Sequence, residues 1–232
     1  MGDKYRSHIY GEGEKNTVWR FGGPPNYDVV NKLFEEGRTN VWPEGSLEER
    51  VQNIVKTWEM EIVHKVNAED YKSVNAEKFT HSVNGRRPMS LQDVMKVGSY
   101  NAFLQTSLPE SLRAYNPDKE TSQSSNEAFV RTFTRGFALE IIEVYAGPPV
   151  ISYKFRHWAF MEGPFQGHPP TGELVEFYGL GVVRLDESNR VESVEFFYDP
   201  SIVIAPLIGG SKAEASGTPN ISAPGCPVFN KH

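Results

Sequence analysis

Residues 137–198 constrain the fold more than any other stretch of the chain. Four runs rich in β-branched and aromatic residues, Phe137–Tyr145, Val150–Trp158, Leu174–Leu185 and Arg190–Tyr198, follow one another directly. Between them lie Ala146-Gly147-Pro148-Pro149, a Gly- and Pro-rich turn region over 161–172, and Asp186-Glu187-Ser188-Asn189. None of these connections carries a helical pattern, so consecutive strands pair antiparallel rather than through crossovers. In the second run Ile151, Tyr153, Phe155 and His157 share one face, and Ser152, Lys154 and Arg156 share the other.

The chain before this sheet is helical. Ser46 and Glu49 stand at capping-box spacing, and Leu47, Val51, Ile54, Val55, Trp58 and Ile62 then form one apolar stripe. Glu61 falls at the edge of that stripe and His64 well away from it. Ser90 and Asp93 open a second helix in the same way, with Leu91, Val94, Met95, Gly98 and Ala102 facing inward. Phe79–Val83 alternates and ends at Asn84-Gly85, which predicts a short strand. Helices first and a curved antiparallel sheet second make the fold class α+β. The body is expected over 46–209, with no internal repeat. Residues 1–45 read as an arm with one short helix around Asp28–Glu36; Tyr5, Tyr10, Trp19 and Phe21 give it too much apolar surface for a free tail. The polar stretch 115–128 reads as a surface loop, and 210–232 as a coil tail.

Composition excludes several function classes. With 24 Lys+Arg against 30 Asp+Glu the net charge is −6, which repels phosphate backbones, so no nucleic acid is expected as a partner. Ile202 to Ile208 is far too short to cross a bilayer and contains Pro206, so no membrane is expected either. Cys226 is the single cysteine and forms no internal disulfide. The first twenty residues carry seven charged side chains and no apolar block, so a cytoplasmic location is expected.

Four groups could carry chemistry. Asp199 ends the last strand among Phe196, Phe197 and Tyr198; it could be a desolvated base, although spacing alone favours a turn-capping Asp. Glu195 shares the strand face of Phe197 and Asp199, but Val194, Phe196 and Tyr198 form a rival apolar row, and periodicity leaves open which row is buried. His81 and His157 are flanked by apolar residues; a hydrogen-bonded core histidine is the commoner outcome for each, a pocket acid/base group the sharper one. His157, Glu162 and His168 lack metal-site spacing, so no metal is expected. Cys226 has no positioned histidine, and GEGEKN lacks the Lys-Ser/Thr ending of a phosphate loop.

The run from Gly163 to Phe177 (GPFQGHPPTGELVEF), followed by Asn189-Arg190-Val191-Glu192 and Phe197-Tyr198-Asp199, resembles the SnoaL-like, polyketide-cyclase branch of the nuclear transport factor 2-like superfamily. The segments GDKYRS, GEGEKNTVWRFG, KTWEMEIVHK, KFRHW and MEGPFQGHPP make the whole chain similar to the plant pathogen-related proteins. The resemblance implies a cone-shaped roll: a strongly bent antiparallel sheet whose helices close an apolar pocket. It implies Asp199 as general acid/base, with His81, His157 or Glu195 as partners. Trp58, Phe155, Phe177, Phe197 and Met161 would contact the ligand, Met161 standing where that family often has a histidine. No cofactor is implied. The expected partner is a small hydrophobic metabolite, and a homodimer is expected by analogy. The implied activity is a cofactor-independent cyclisation or isomerisation; the alternative is a non-catalytic binding or scaffold protein of plant defence.

Overall fold

The computed structural model describes residues 2–209. The expected coil tail and Cys226 lie outside them. The arm carries helix α1 (Asp28–Gly37), and the body opens with the long helix α2 (Leu47–His64). The Ser46 hydroxyl caps α2 by accepting from the Glu49 amide at 3.2 Å. Strands β1 (Thr80–Val83) and β2 (Met89–Ser90) follow, then α3 (Leu91–Val97), α4 (Ser99–Phe103) and α5 (Ser122–Thr132). The sheet is completed by β3 (Ala138–Ala146), β4 (Val150–Phe160), β5 (Leu174–Leu185) and β6 (Val191–Phe197), and α6 (Ser201–Ile204) closes the described chain.

The α+β expectation holds. The six strands run in the order β2-β1-β6-β5-β4-β3, and the β3-to-β6 meander is antiparallel throughout. One pairing departs from the antiparallel expectation: β1 lies parallel to β6, Thr80 opposite Ser193 and Val83 opposite Phe196. Register shifts in β3 and at Arg184/Leu185 bend the sheet, because a bulge kinks its strand and increases local twist. Gly181 and Gly179 of β5 pair with Tyr153 and Phe155 of β4, and a Cβ at either position would run into the partner ring. The two glycines let those rings lie flat across β5 under the main core.

Two sequence expectations for the helices are corrected. The segment opened by the Ser90–Asp93 capping box is two helices rather than one, broken at Gly98, whose φ of 92° no helix accommodates. The stretch 115–128 is not a surface loop along its length. Thr121 and Ser124 form a capping box, and α5 buries Ser125, Phe129 and Thr132 against the core. Hydroxyl residues on the inner face of α5 hid it from an apolar count.

The arm packs on the body in two places. On the outer face of β3 and β4, Tyr5, Leu33 and Phe34 bury against Ala138 and Trp158. Full burial of such side chains is worth roughly 1.5–3 kcal/mol each, enough to hold the segment down. Below it, Glu140 accepts from the backbone amides of Thr39 and Asn40, both at 2.6 Å, while Arg156 donates to the Gly37 carbonyl at 2.8 Å. Not every arm aromatic is buried: Tyr10 and Phe21 stay about half exposed.

Candidate functional site

The inner face of the sheet and helices α2, α4 and α5 enclose a cavity of about 500 Å³, within the range of small-molecule sites. Its walls include Trp58, Phe79, Phe103, Phe129, Phe137 and Phe196. One end is polar. Lys56, Glu59 and His64 of α2 meet Arg6 and Tyr27 of the arm there, so the arm completes the site. The Arg6 guanidinium lies 3.7 Å from the Tyr27 ring centroid and donates to Asn31 Oδ1 at 2.8 Å. Tyr27 and Phe21 both meet the His64 ring edge-on, at 5.7 and 5.4 Å between centroids.

The nine residues expected from the sequence divide sharply. His81, His157 and Trp58 line the cavity. Phe155 and Phe177 are buried one layer behind it, Phe177 stacked on His157 at 5.4 Å and Phe155 edge-on to it at 5.6 Å. Met161 is buried away from the cavity, its sulfur 3.7 Å from the Thr171 hydroxyl. The last three are corrected. On β6 the buried row is Val194, Phe196 and Tyr198, so Glu195, Phe197 and Asp199 point the other way. Phe197 is 40% exposed on the outer face. Asp199 is exposed, and its Oδ1 accepts from the Ser201 amide at 2.9 Å, the turn-capping role that spacing alone favours. A carboxylate in that position lacks the desolvation a general base needs.

The segment that carries the SnoaL-like resemblance is also remote from the cavity. Gly163 sits so close to the C-terminus of α5 that a Cβ would collide with the Arg131 carbonyl oxygen. The Gly163 amide donates to Thr132 O at 3.0 Å, and the Thr132 hydroxyl donates back to Pro164 O at 3.0 Å. Phe165 is fully buried beside Phe129. The segment locks α5 onto the sheet. Of the residues weighed for a metal, Glu162 pairs with Arg135 at 2.8 Å and His157 faces inward.

The chain is 53% identical to the "Pathogen-related protein" of Hordeum vulgare over 230 residues, covering 98% of this chain and 95% of that one. The chain belongs to the pathogen-related protein family. No protein-family model matches it. Among solved structures it is similar to a SnoaL-like polyketide-cyclase candidate from Jannaschia sp. at 14% identity, covering 78% of this chain and 90% of that one with a TM-score of 0.37. It is also similar to a protein with a ketosteroid isomerase-like fold from Catenulispora acidiphila at 10% identity, covering 66% and 91% with a TM-score of 0.36. Both likenesses are remote, and the chemistry of this pathogen-related protein is read from its own residues.

That chemistry centres on Glu59, which is not among the nine residues expected from the sequence. Glu59 lies beside Trp58 and lines the cavity. Burial pushes its carboxyl up to about 7, and the Arg6 guanidinium holds it from going higher. A carboxyl of that kind exchanges a proton readily near neutral pH. His157 and His81 are pushed down to about 3 and 4, mainly by burial, so both imidazoles are neutral there. Each leaves Nδ1 without a hydrogen-bond partner among the described residues.

Lys56 is the other unusual group. It is 2% exposed, and its Nζ has no hydrogen-bond partner among the described residues. Its Nζ stands 3.1 Å from the Phe34 ring centroid and 4.4 Å from that of Tyr5. Those ring faces favour an ammonium by about 2 kcal/mol, but burying an ammonium without a bonded carboxylate costs several. Burial wins, with Arg6 adding to it, and the amine is held well below the ordinary lysine range. Each orphaned buried polar atom costs about 1–3 kcal/mol. Lys56 Nζ, Trp58 Nε1, His81 Nδ1 and His157 Nδ1 all belong to residues that line this one cavity. They are four of the seven orphaned buried side-chain atoms among the described residues, the others being Asn53 Oδ1, Arg135 Nε and Tyr153 OH, and such groups concentrate at functional sites.

Among the described residues, no helix is long and apolar enough to cross a membrane.

Proposed function

We propose that this pathogen-related protein is a cofactor-independent acid/base enzyme, of cyclase or isomerase type, acting on a small hydrophobic metabolite in the plant cytoplasm. The observation that carries the reading is Glu59, a carboxyl titrating at about 7 within a cavity of about 500 Å³ walled by aromatic rings. As its anion Glu59 removes a proton from an acidic C–H of the ligand; as its acid it returns the proton to a neighbouring atom. Arg6 supplies the positive charge that accommodates negative charge developing on the ligand, and the neutral imidazole of His81 donates a hydrogen bond to it.

The test begins with native mass spectrometry of the protein after incubation with a plant metabolite extract, to capture a ligand. That ligand is then followed by NMR in D₂O. The enzyme reading expects deuterium to enter the ligand, or the ligand to rearrange, with wild type, and the rate to fall on the order of 10²-fold or more with Glu59→Gln. Tight binding with neither exchange nor rearrangement sinks it. That outcome would instead support a second reading, a non-catalytic small-molecule-binding protein of the defence response, for which the aromatic walls alone suffice.

A further inference from the structure

Proton transfer uses Glu59 but leaves Lys56 unexplained. Lys56 lies three residues earlier on α2, so the two side chains are neighbours one helical turn apart, and both line the cavity. A structural lysine in such a place would be bonded to a carboxylate, as Lys65 of the same helix region is, with Glu61 Oε1 and Glu14 Oε2 each at 2.8 Å. Lys56 Nζ has no such partner among the described residues and is buried instead over the rings of Phe34 and Tyr5, while the residue borders the cavity.

We propose that Lys56 is a nucleophilic amine that forms an imine with an aldehyde or ketone bound in the cavity. This rests on the cavity being a metabolite site and narrows the metabolite to carbonyl compounds. The groups acting on Lys56 suit the step. Arg6 is positive and disfavours the ammonium, while Glu59, Asp3 and Glu35 favour it; burial outweighs them all and leaves the nitrogen lone pair free.

The amine attacks the carbonyl carbon, forming the C–N bond as the carbonyl electrons move to oxygen. The oxygen takes its proton from the Glu59 acid, and the nitrogen returns one proton to the Glu59 carboxylate, which yields the carbinolamine. Glu59 then protonates the hydroxyl, which leaves as water as C=N forms, and the carboxylate takes the second nitrogen proton. One water is released, no redox partner is needed, and Glu59 ends as it began. A carboxyl titrating at about 7 is suited to both proton transfers.

The test uses 2-naphthaldehyde with sodium cyanoborohydride near pH 7, followed by peptide mapping of the wild-type protein. An ordinary lysine is uncharged in only about one part in 10³ at that pH. The expected result is one naphthylmethyl group per chain, on Lys56, at a rate at least ~10-fold above any surface lysine. Lys65 stays unlabelled, and Lys56→Arg loses the fast label. Label spread over surface lysines with Lys56 unmodified overturns the proposal, and because this is read on wild type it does not depend on a variant folding. A parallel arm measures 2-naphthylmethanol, which has no carbonyl, by Trp fluorescence. If the alcohol binds while Lys56 stays unlabelled, the imine is wrong and the cavity reading stands. If the alcohol also fails to bind, both fall together.

Discussion

Helix α2 carries two lysine–glutamate pairs, and they have been put to opposite uses. At its C-terminal end Lys65 and Glu61 are buried and saturated with hydrogen bonds. Lys65 donates to Glu61, Glu14 and the Asp70 carbonyl, and Glu61 also accepts from the Lys72 and Ser73 amides and the Ser73 hydroxyl. One helical turn and a half earlier, Lys56 and Glu59 face the cavity, and Lys56 Nζ has no partner among the described residues. The chemical types are the same and the burial is comparable for the lysines, 0% against 2%. What differs is satisfaction. The first pair has its amine and carboxylate engaged in hydrogen bonds, whereas the second leaves its amine unpartnered among the described residues. One end of the helix pins the arm through Glu14, and the other holds Lys56 and Glu59 at the cavity.

The largest effect should come from breaking the satisfied pair. Lys65→Met leaves Glu61 and Glu14 buried without their cation, and removing one partner of a buried pair typically costs about 3–5 kcal/mol. Chemical denaturation should show that loss, together with release of the arm, read as protease cleavage near Glu14. Lys56→Met, by contrast, removes a buried amine that has no bonded partner, and stability should hold or rise. Equal losses from the two variants would dissolve the contrast.

The second effect is a dependence on pH. Glu59 has a folded-state value near 7, raised above the ordinary 4.5, so the folded protein binds more protons than the unfolded chain between those values. Its contribution to stability is therefore complete below about 4.5 and is lost as pH rises through about 7, amounting to at most about 3 kcal/mol. His81 and His157 act oppositely. Their folded values are depressed from 6.5 to about 4 and about 3, so their contribution is present above 6.5 and is lost as pH falls. Wild type alone reports the sum. The difference between Glu59→Gln and wild type isolates Glu59: the variant should gain relative stability steadily from about pH 5 to pH 8. Denaturation curves running parallel across that range would show that Glu59 is not held in its acid form by the pocket.

How much of this was legible beforehand depends on where the information resides. The meander, the Ser46 cap and the Ser90–Asp93 capping box are local patterns, although Glu49 accepts from the Gly45 amide and closes no box with Ser46, and Phe79–Val83 was visible as a strand because Asn84-Gly85 marks its end. Its parallel pairing with β6 joins segments about 110 residues apart and has no local signature. On β6 both rows carry aromatics, so Phe196 and Phe197 looked equivalent until helices covered only one face. The α2 stripe put Lys56 and Glu59 on the presumed solvent side. That side is covered by Arg6, Tyr27 and Phe34 of the arm, and no helical period reports an arm arriving from outside. The usable signal was the segment KTWEMEIVHK, in which charges flank the buried Trp58 closely while an aromatic-rich arm needs a surface to cover.

The smallest expected effect is the one that separates the two faces of β6. Asp199 is exposed and accepts one hydrogen bond, from the Ser201 amide at the start of α6. Asparagine has an oxygen to keep that bond, so Asp199→Asn should change stability by less than ~1 kcal/mol. It should leave the Lys56 label and the turnover assigned to Glu59 within about twofold of wild type, since surface changes away from a site are usually near neutral. Asp199 would recover the role its strand position suggested only if this substitution cost turnover on the order of 10²-fold while folding stayed intact. Its carboxylate would then have to reach the ligand through a rearrangement that turns the outer row of β6 inward. Such a turn would expose Phe196 and Tyr198, two side chains now less than a tenth exposed, at about 1.5–3 kcal/mol each. The register of β6 against β1 and β5 opposes that turn, because a one-residue slip would reverse every side chain on the strand.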